Sequence, residues 1–400
     1  MGKNSKGNCR SLQESSWEMK KDDVRFILSA FLSWRVLLFL FVALGIALFP
    51  LQENFLGGRL ENYLKNPYFW SFLNFDGEHY ASIAYQGYLP LTYFYFPFYP
   101  LVARLIVSPL GESFINVAIS GLLVSNLSFA VGLFGLWKLV RLDYKRNVAT
   151  LTVILLLLFP TSFYFGAFYT ESLVFALIVW AFYLARKRQW LAVGILAAMA
   201  TATRITALAL LPALAYEVWE YRRKKNGKIA LPIISLALIP MGLGIYMYYL
   251  YRVTGDPLEF FNAISLFGQQ RSAEIVLLPQ VFYRYFFKVL PNLDYSYFPA
   301  VFTSYLEIGS AVLFFILGVW AFFKIRLSYA FFLAAGYLIP PLSGSFSSFP
   351  RYVLILFPAF ILLAVWLNKK SKIGRRMVFL ILFMLLSVAC ALFARGYWVS

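Results

Sequence analysis

The chain consists largely of apolar runs that are long enough to cross a membrane, separated by short loops rich in Lys and Arg. A helix needs about 20 consecutive apolar residues to span a bilayer, and such runs recur along most of the 400 residues. Apolar residues make up 61% of the chain and charged residues 14%, whereas a soluble domain carries about 25% charged residues. The sequence therefore predicts an all-α polytopic membrane protein and excludes an ordinary soluble fold.

Hydropathy predicts about 11 transmembrane helices in a single domain that covers residues 1–400. The predicted spans are Phe26–Leu51, Phe114–Val140, Val148–Pro160, Phe168–Ala185, Trp190–Ala202, Ile205–Trp219, Ile229–Leu250, Val301–Phe323, Leu327–Pro340, Phe349–Leu367 and Met377–Ala394. Several of them are shorter than about 20 residues, and short spans are tolerated where the backbone lines a cavity or is buried in protein. We therefore expect Pro160–Tyr169 and Thr201–Thr206 to line a recess.

Basic residues divide the loops into two sets. The basic set comprises the tail 1–24 and the loops 138–146, 186–188, 222–228, 324–326 and 369–376. By the positive-inside rule this set is cytoplasmic, so the large loops 52–113 and 252–300 face out from the plasma membrane. The net charge of +18 is thereby interpreted as a topology signal, with a polyanionic partner as the alternative, and no nucleic-acid partner is expected.

The first large loop contains the stretch Trp70–Pro100, which is rich in acids and aromatics. Its Asp76 precedes Gly77 and a segment with the apolar spacing of a helix face. Asp at such a position is a good helix N-cap, but a carboxylate at the bilayer surface could also act as a general base. The two roles are compatible, and the sequence leaves both open.

Glu78 and His79, the only histidine of the chain, stand beside Asp76. They are candidates for substrate binding, and a carboxylate pair with one histidine could also bind a divalent metal. Because no further ligand motif is present, no cofactor is expected. The aromatic run that follows, Phe94–Tyr99, fits either an interfacial belt or the wall of a groove for a sugar or lipid tail.

Ionisable residues inside apolar stretches are costly and mark functional sites. Glu171 and Arg204 are two such residues, and Arg351 follows a short polar loop at the start of another span. Glu171 and Arg204 could pair with each other as structural groups. Alternatively, the guanidinium of Arg204 could bind an anionic phosphate, for which its planar fork is suited.

A carboxylate near several cations, above a membrane cavity, suits group transfer from a lipid-linked phosphate donor. The carboxylate would deprotonate an acceptor hydroxyl while the cations stabilise the leaving phosphate. The alternative from another class is a transporter or flippase of lipid-linked sugars. That function would need polar residues along the whole membrane path, whereas the ionisable residues here gather at one face.

The motif NFDGEHYASIAYQGY, followed by FPFYPLVARL, resembles the family of the second mannosyltransferase of glycosylphosphatidylinositol assembly and its prokaryotic relatives, within the GT-C superfamily. The matching positions are Asp76, His79, Ile83, Ala84, Gly87, Tyr88, Phe96, Pro97 and Pro100. Phe75 stands where that family usually has Trp. The later segments PTSFYFGAFYTESL, ATATRITAL and FPRYVLILFP resemble further family segments and supply Tyr169, Glu171, Ser172, Arg204, Arg351 and Tyr352.

The resemblance implies a GT-C glycosyltransferase fold and an inverting transfer of a hexose, mannose in the eukaryotic family, from a polyprenyl- or dolichyl-phosphate donor. Asp76 would be the base, and Arg204 and Arg351 would hold the donor phosphate. The full set of predicted substrate-binding residues is His79, Glu78, Tyr169, Glu171, Arg204, Arg351 and Tyr352. The acceptor could be a lipid-linked glycan, a cell-wall polymer or a protein, and membrane lipids surround the chain.

Overall fold

A computed structural model describes residues 19–111, 113–225, 229–262 and 274–399, and within these ranges every regular element is a helix. The α-helices of seven or more residues are α1 Lys21–Leu48, α2 Arg59–Lys65, α3 Asp76–Gln86, α4 Phe98–Val107, α5 Phe114–Arg141, α6 Arg146–Leu158, α7 Glu171–Arg186, α8 Trp190–Thr203, α9 Leu210–Lys225, α10 Ala230–Leu238, α11 Met241–Thr254, α12 Leu278–Arg284, α13 Phe298–Lys324, α14 Leu327–Leu338, α15 Phe357–Leu367 and α16 Lys372–Ala394. The all-helical class is as predicted.

Five described helices are long and apolar enough to cross a membrane. They are Lys21–Leu48, Phe114–Arg141, Ala230–Thr254, Phe298–Lys324 and Lys372–Ala394, of which Ala230–Thr254 is the succession of α10 and α11. A sixth candidate is the pair Phe349–Ile355 and Phe357–Leu367, which is bent by 81°. The other predicted spans are also helical but shorter, so an integral membrane protein is supported and the number of 11 crossings is not confirmed.

Two breaks interrupt the helical backbone, one at Arg204, between two spans that were predicted to be short, and one at Leu356, inside the predicted span Phe349–Leu367. Arg204 is extended, with φ −157° and ψ 140°, and separates α8 from the 3₁₀ turn Ile205–Ala209. The bend at Leu356 precedes a helix whose first turn contains Pro358, a residue that lacks an N–H to donate. Of the stretch Thr201–Thr206, which was expected to line a recess, residues 203–206 line a cavity. The segment Pro160–Tyr169 is instead fully buried, and its Tyr164 and Tyr169 pack against Arg351.

The predicted loop 52–113 is a folded region that is anchored to the end of the last helix. The side-chain amide of Asn74 donates to the carbonyl of Phe393 at 2.8 Å, and its oxygen accepts from the backbone of Gly57 at 2.9 Å. The hydroxyl of Tyr63 donates to the carbonyl of Ala394 at 2.6 Å. Because these buried groups are paired, the loop is held in one position over the helices. Most of the predicted tail 1–24, and the stretch 263–273 of the second loop, lie outside the described residues.

Ion pairs cluster at the end of the helices opposite Asp76. Helix α7 carries Glu171 at its first residue and Arg186 at its last. Arg186 donates to both carboxylate oxygens of Asp143 at 2.7 Å, and Arg326 pairs with Glu217 at 2.6 Å. The basic loops 138–146, 186–188 and 324–326 therefore lie together at one end of the bundle, and the acids and arginines discussed below gather at the other.

Candidate active site

A strained residue directly precedes Asp76. Phe75 has φ 58° and ψ −124°, a conformation that costs a non-glycine residue about 1–3 kcal/mol and is found mainly at functional sites. Its N–H donates to the carbonyl of Phe55 at 3.1 Å, and its ring lies 5.4, 5.7 and 5.2 Å from the rings of Phe55, Phe393 and Trp398. The packing of this ring thus holds the backbone that aims Asp76.

The interpretation of Asp76 as a helix N-cap is wrong. The cap position is occupied by Phe75, no side-chain cap bond forms, and Asp76 is the first helical residue. Its carboxylate instead accepts hydrogen bonds from the guanidinium of Arg351 at 2.5 Å and from the hydroxyl of Tyr95 at 3.2 Å. Asp76 therefore has no capping role in α3, and its carboxylate, 14% exposed, faces the site.

Opposing effects act on the pKa of Asp76. Burial raises this pKa, but the charge and hydrogen bond of Arg351, the charge of His79 and the hydrogen bond of Tyr95 together bring it below its ordinary value. The pKa of Tyr95 is raised by burial and by the charge of Asp76, so its hydroxyl stays protonated and can donate. Asp76 is consequently ionised at neutral pH and is held in an ion pair.

A buried chain of charges runs from Asp76 to Arg204. Arg351 contacts Asp76, and its Nε lies 3.4 Å from Glu171 Oε1. The same oxygen of Glu171 accepts from Arg204 Nη1. The structural alternative for Glu171 and Arg204, that they pair with each other, is therefore confirmed. Within the described residues, Arg351 Nε and Glu171 Oε2 form no hydrogen bond although both are buried.

Aromatic rings hold both arginines in place. The Tyr352 ring lies 4.7 Å from the guanidinium carbon of Arg204 and 5.5 Å from that of Arg351. Tyr164 and Tyr169 lie 5.3 and 5.4 Å from Arg351 on another side. Tyr169 is buried and its hydroxyl donates to the carbonyl of Asn74 at 2.8 Å, so we expect it to position Arg351 without touching substrate.

Two cavities meet at Asp76. The larger has a volume of about 600 Å³ and is polar and aromatic, with His79, Tyr95 and Glu307 among its lining residues. The smaller, about 260 Å³, is mostly apolar but has Arg204 and Arg351 in its wall. Asp76 belongs to both walls, and a group in either cavity can reach its carboxylate. We call the first the polar cavity and the second the arginine cavity.

The aromatic run after the acidic patch contributes to both cavities. Phe94 and Phe96 line the arginine cavity. Tyr95, which stands between them in the sequence, lines the polar cavity and donates a hydrogen bond from its hydroxyl to Asp76. The His79 ring stacks on Tyr95 at 5.1 Å. The groove-wall interpretation of Phe94–Tyr99 therefore holds for these three aromatics.

Glu78 is half-buried and does not line either of these cavities. Burial raises its pKa, and the charge of Arg59 opposes that shift. In the described part of the chain no group of three or more His, Cys, Asp and Glu side chains is placed to hold a metal ion. A role of Glu78 in substrate binding stays a prediction, and so does the expectation that no metal cofactor is needed.

Sequence reasoning missed Glu307 and Tyr285 in the wall of the polar cavity. Glu307 is 6% exposed and lies in span α13, where it accepts from the Tyr285 hydroxyl at 2.9 Å. A carboxylate inside an apolar run is a functional candidate by the same rule that selected Glu171. The signal was therefore present in the sequence.

A family model described as dolichyl-phosphate-mannose-protein mannosyltransferase matches residues 97–249. The match covers less than half of the chain and includes Glu171 and Arg204. It supports the broader resemblance, to GT-C membrane glycosyltransferases, and leaves the narrower one, to the second mannosyltransferase of glycosylphosphatidylinositol assembly, unconfirmed. No curated protein matches the sequence.

Among solved structures, the chain is similar to the oligosaccharyltransferase of Archaeoglobus fulgidus. The crystal structure with a tethered acceptor peptide aligns over 93% of this chain and 55% of that one, with 12% identity and a TM-score of 0.46. The same enzyme with an inhibitory peptide and a dolichol-phosphate aligns over 95% and 57%, with 14% identity and a TM-score of 0.44. The chain thus spans about half the length of these structures.

Proposed function

We propose that this protein is a GT-C membrane glycosyltransferase that moves a hexose from a polyprenyl- or dolichyl-phosphate donor to a hydroxyl acceptor, and that the hexose is mannose. The observation that carries the proposal is the position of Asp76 between the arginine cavity and the polar cavity. A transfer reaction needs its base at the point where donor and acceptor meet. The family-model match over residues 97–249 supports the same class of reaction.

The arginine cavity suits the donor. Its apolar wall includes Phe96, Ile339 and Leu342 and is of the kind that a prenyl chain packs against. Arg204 and Arg351 enter the same cavity, and guanidinium groups bind phosphate oxygens through paired N–H donors. A lipid phosphate bound there has its chain in apolar surroundings and its charge beside two buried cations.

In the reaction, Asp76 removes the proton of the acceptor hydroxyl as its oxygen attacks the anomeric carbon of the donor sugar. The bond from that carbon to the phosphate oxygen breaks, and the polyprenyl phosphate leaves with its charge stabilised by Arg204 and Arg351. One displacement inverts the anomeric configuration. The leaving group is already a phosphate, so a second carboxylic acid is not required, unlike in a retaining hydrolase.

The ion pair between Asp76 and Arg351 links donor binding to base strength. Without donor, Arg351 contributes to holding the pKa of Asp76 below its ordinary value, and a strongly acidic carboxyl is a poor base. A donor phosphate attracts the same guanidinium and weakens its pairing with Asp76. The pKa of Asp76 then rises, and the carboxylate becomes a better base only when donor is present.

The active site lies on the outer side of the plasma membrane, with the N-terminus in the cytoplasm. This orientation follows from the positive-inside rule, since the basic loops gather at the bundle end away from Asp76. Arg186 and Arg326 lie at that basic end. A cysteine introduced at exposed Lys65 should therefore react with a membrane-impermeant maleimide in intact cells.

The proposal is tested with purified protein and a set of polyprenyl-phosphate-linked hexoses. Donor consumption with release of polyprenyl phosphate, fastest for the mannose donor, is the expected result. Reconstitution into liposomes separates the flippase alternative. If no donor is consumed but the labelled lipid crosses the bilayer, the protein is a transporter and the glycosyltransferase proposal is overturned.

A further inference from the structure

We infer that the hydroxyl of Thr206 binds a phosphate oxygen of the lipid donor, beside Arg204 and Arg351. The inference rests on the proposed function and adds an uncharged hydrogen-bond donor to the phosphate site. Its evidence is the position of Thr206 in the wall of the arginine cavity, the burial of its hydroxyl without a partner, and the pairing of both arginines with acids.

Thr206 lies in the same cavity wall as the two arginines. It is 4% exposed and lines the arginine cavity together with Arg204 and Arg351. It belongs to the 3₁₀ turn Ile205–Ala209, which begins directly after the extended Arg204. The break in the helical backbone therefore places both Arg204 and Thr206 at the cavity.

Within the described residues, the hydroxyl of Thr206 is buried and forms no hydrogen bond. Two other hydroxyls of this wall do have partners, since Thr203 donates to the carbonyl of Met199 at 2.7 Å and Ser343 donates to that of Pro340 at 2.9 Å. A buried hydroxyl without a partner has lost its hydrogen bonds to water and gained none in return. Such groups are rare in native structures and call for an explanation. A ligand that supplies the missing partner is one.

The backbone explains why Thr206 lacks an internal partner. A threonine in a continuous helix can bond the carbonyl three or four residues earlier, as Thr203 does. For Thr206 these are the carbonyls of Thr203 and Ala202, but Arg204 intervenes with φ −157° and ψ 140° and turns the chain. Helical threonines have two favoured χ1 positions, and rotation between them lets this hydroxyl meet a ligand in the cavity.

Both arginines of the cavity share their N–H groups with acids. Arg351 donates to Asp76, and its Nε lies 3.4 Å from Glu171 Oε1, which also accepts from Arg204. A phosphate must compete with these carboxylates for the guanidinium groups, whereas the hydroxyl of Thr206 has no bond to give up. A hydroxyl can donate to a phosphate oxygen, and a hydrogen bond to a charged group is stronger than one between neutral groups. Thr206 therefore adds affinity for phosphate without the loss of an ion pair.

The test compares Thr206→Val, which replaces the hydroxyl by a methyl group of similar size, with Thr206→Ser, which keeps the hydroxyl. Binding of farnesyl phosphate and of farnesol, the same chain without phosphate, is measured in detergent together with thermal unfolding. Thr206→Val should bind farnesyl phosphate about ten- to a hundredfold more weakly than wild type, because a hydrogen bond to a charged group is lost. Its affinity for farnesol should stay unchanged, and its melting temperature without ligand should not fall. Thr206→Ser should bind both ligands as wild type does.

Thr152→Val is the matched control. Thr152 is fully buried in α6, and its hydroxyl donates to the carbonyl of Val148 at 2.8 Å. Because an existing hydrogen bond is lost, this variant should melt at a lower temperature than wild type and bind farnesyl phosphate with unchanged affinity. If Thr206→Val behaves in the same way, its hydroxyl is a structural group and the inference is overturned.

The outcomes separate this inference from the proposed function. If Thr206→Val binds farnesyl phosphate with the wild-type affinity, or if wild type binds farnesyl phosphate no more tightly than farnesol, the inference is overturned, and sugar transfer by wild type would still support the proposed function. If farnesyl phosphate binds through Thr206 as expected but no sugar donor is consumed, the lipid-phosphate site stands and the proposed function fails.

Discussion

Replacing Arg351 by Gln should affect both stability and catalysis, because this side chain holds Asp76 and contacts Glu171. Arg351 is only 6% exposed, and its partners are 14% and 1% exposed. Removing one member of a buried ion pair leaves an uncompensated charge and costs about 3–5 kcal/mol. The variant should therefore unfold at a clearly lower temperature in detergent. The loss of one charged donor to the leaving phosphate should reduce kcat about 10²- to 10³-fold.

The pH dependence of the same variant has a definite sign. Arg351 helps to lower the folded-state pKa of Asp76, so the stabilisation by this pair is present above the ordinary pKa and is lost as pH falls through the lowered value. Arg351→Gln lacks this contribution at every pH. The stability difference from wild type should therefore narrow in acid, and the acid limb of kcat/KM should move to higher pH.

The measurements are thermal unfolding and transfer rates between pH 3 and 8. Arg186→Gln is the matched control, because Arg186 forms a two-bond pair with Asp143 at the opposite end of the bundle. The control variant should unfold at a lower temperature than wild type, but its kcat/KM should keep the wild-type dependence on pH. If the acid limb of kcat/KM stays at the wild-type pH in Arg351→Gln, the role assigned to the ion pair between Asp76 and Arg351 is refuted.

Two further predictions concern the donor site and the helix packing. Arg204→Gln should raise the donor KM by about ten- to a hundredfold and leave the acceptor KM unchanged, because Arg204 lines the arginine cavity and offers charged hydrogen bonds. Steady-state kinetics in which each substrate is varied in turn measures both constants. An unchanged donor KM would contradict the prediction. Gly242→Ala should destabilise the fold by about 1–3 kcal/mol through overpacking, because its new Cβ would collide with the backbone oxygen of Ala198 in α8. Gly244→Ala, with open space at the Cβ position, is its control, and equal melting temperatures for the two variants would contradict the packing argument.

Hydropathy predicted the helices well because apolar length and composition are local properties. The span predicted at Phe114–Val140 is the helix Phe114–Arg141, and the short spans around Arg204 end where an extended residue interrupts them. The number of membrane crossings could not be predicted in the same way. It depends on how short helices pack against one another and on bends such as the one at Leu356, which composition does not encode.

The site was predicted in part, and the missing part depends on long-range contacts. Asp76, Arg204 and Arg351 were selected from the sequence, and the structure brings them together. The hydrogen bond between Asp76 and Arg351 joins residues 275 positions apart. No local sequence pattern could therefore predict that these two residues pair. The capping prediction failed because Phe75 adopts a positive φ that is unusual for a residue with a side chain, which moves the start of α3 by one residue.

The most direct test of the central claim is sugar transfer by Asp76→Asn with a polyprenyl-phosphate mannose donor. Asn has nearly the same shape as Asp and keeps one oxygen that can accept a hydrogen bond from Arg351 or Tyr95, but it cannot take up the acceptor proton. Loss of transfer, with donor binding and thermal unfolding still measurable, is the predicted result. Transfer at the wild-type rate would contradict the assignment of Asp76 as the base.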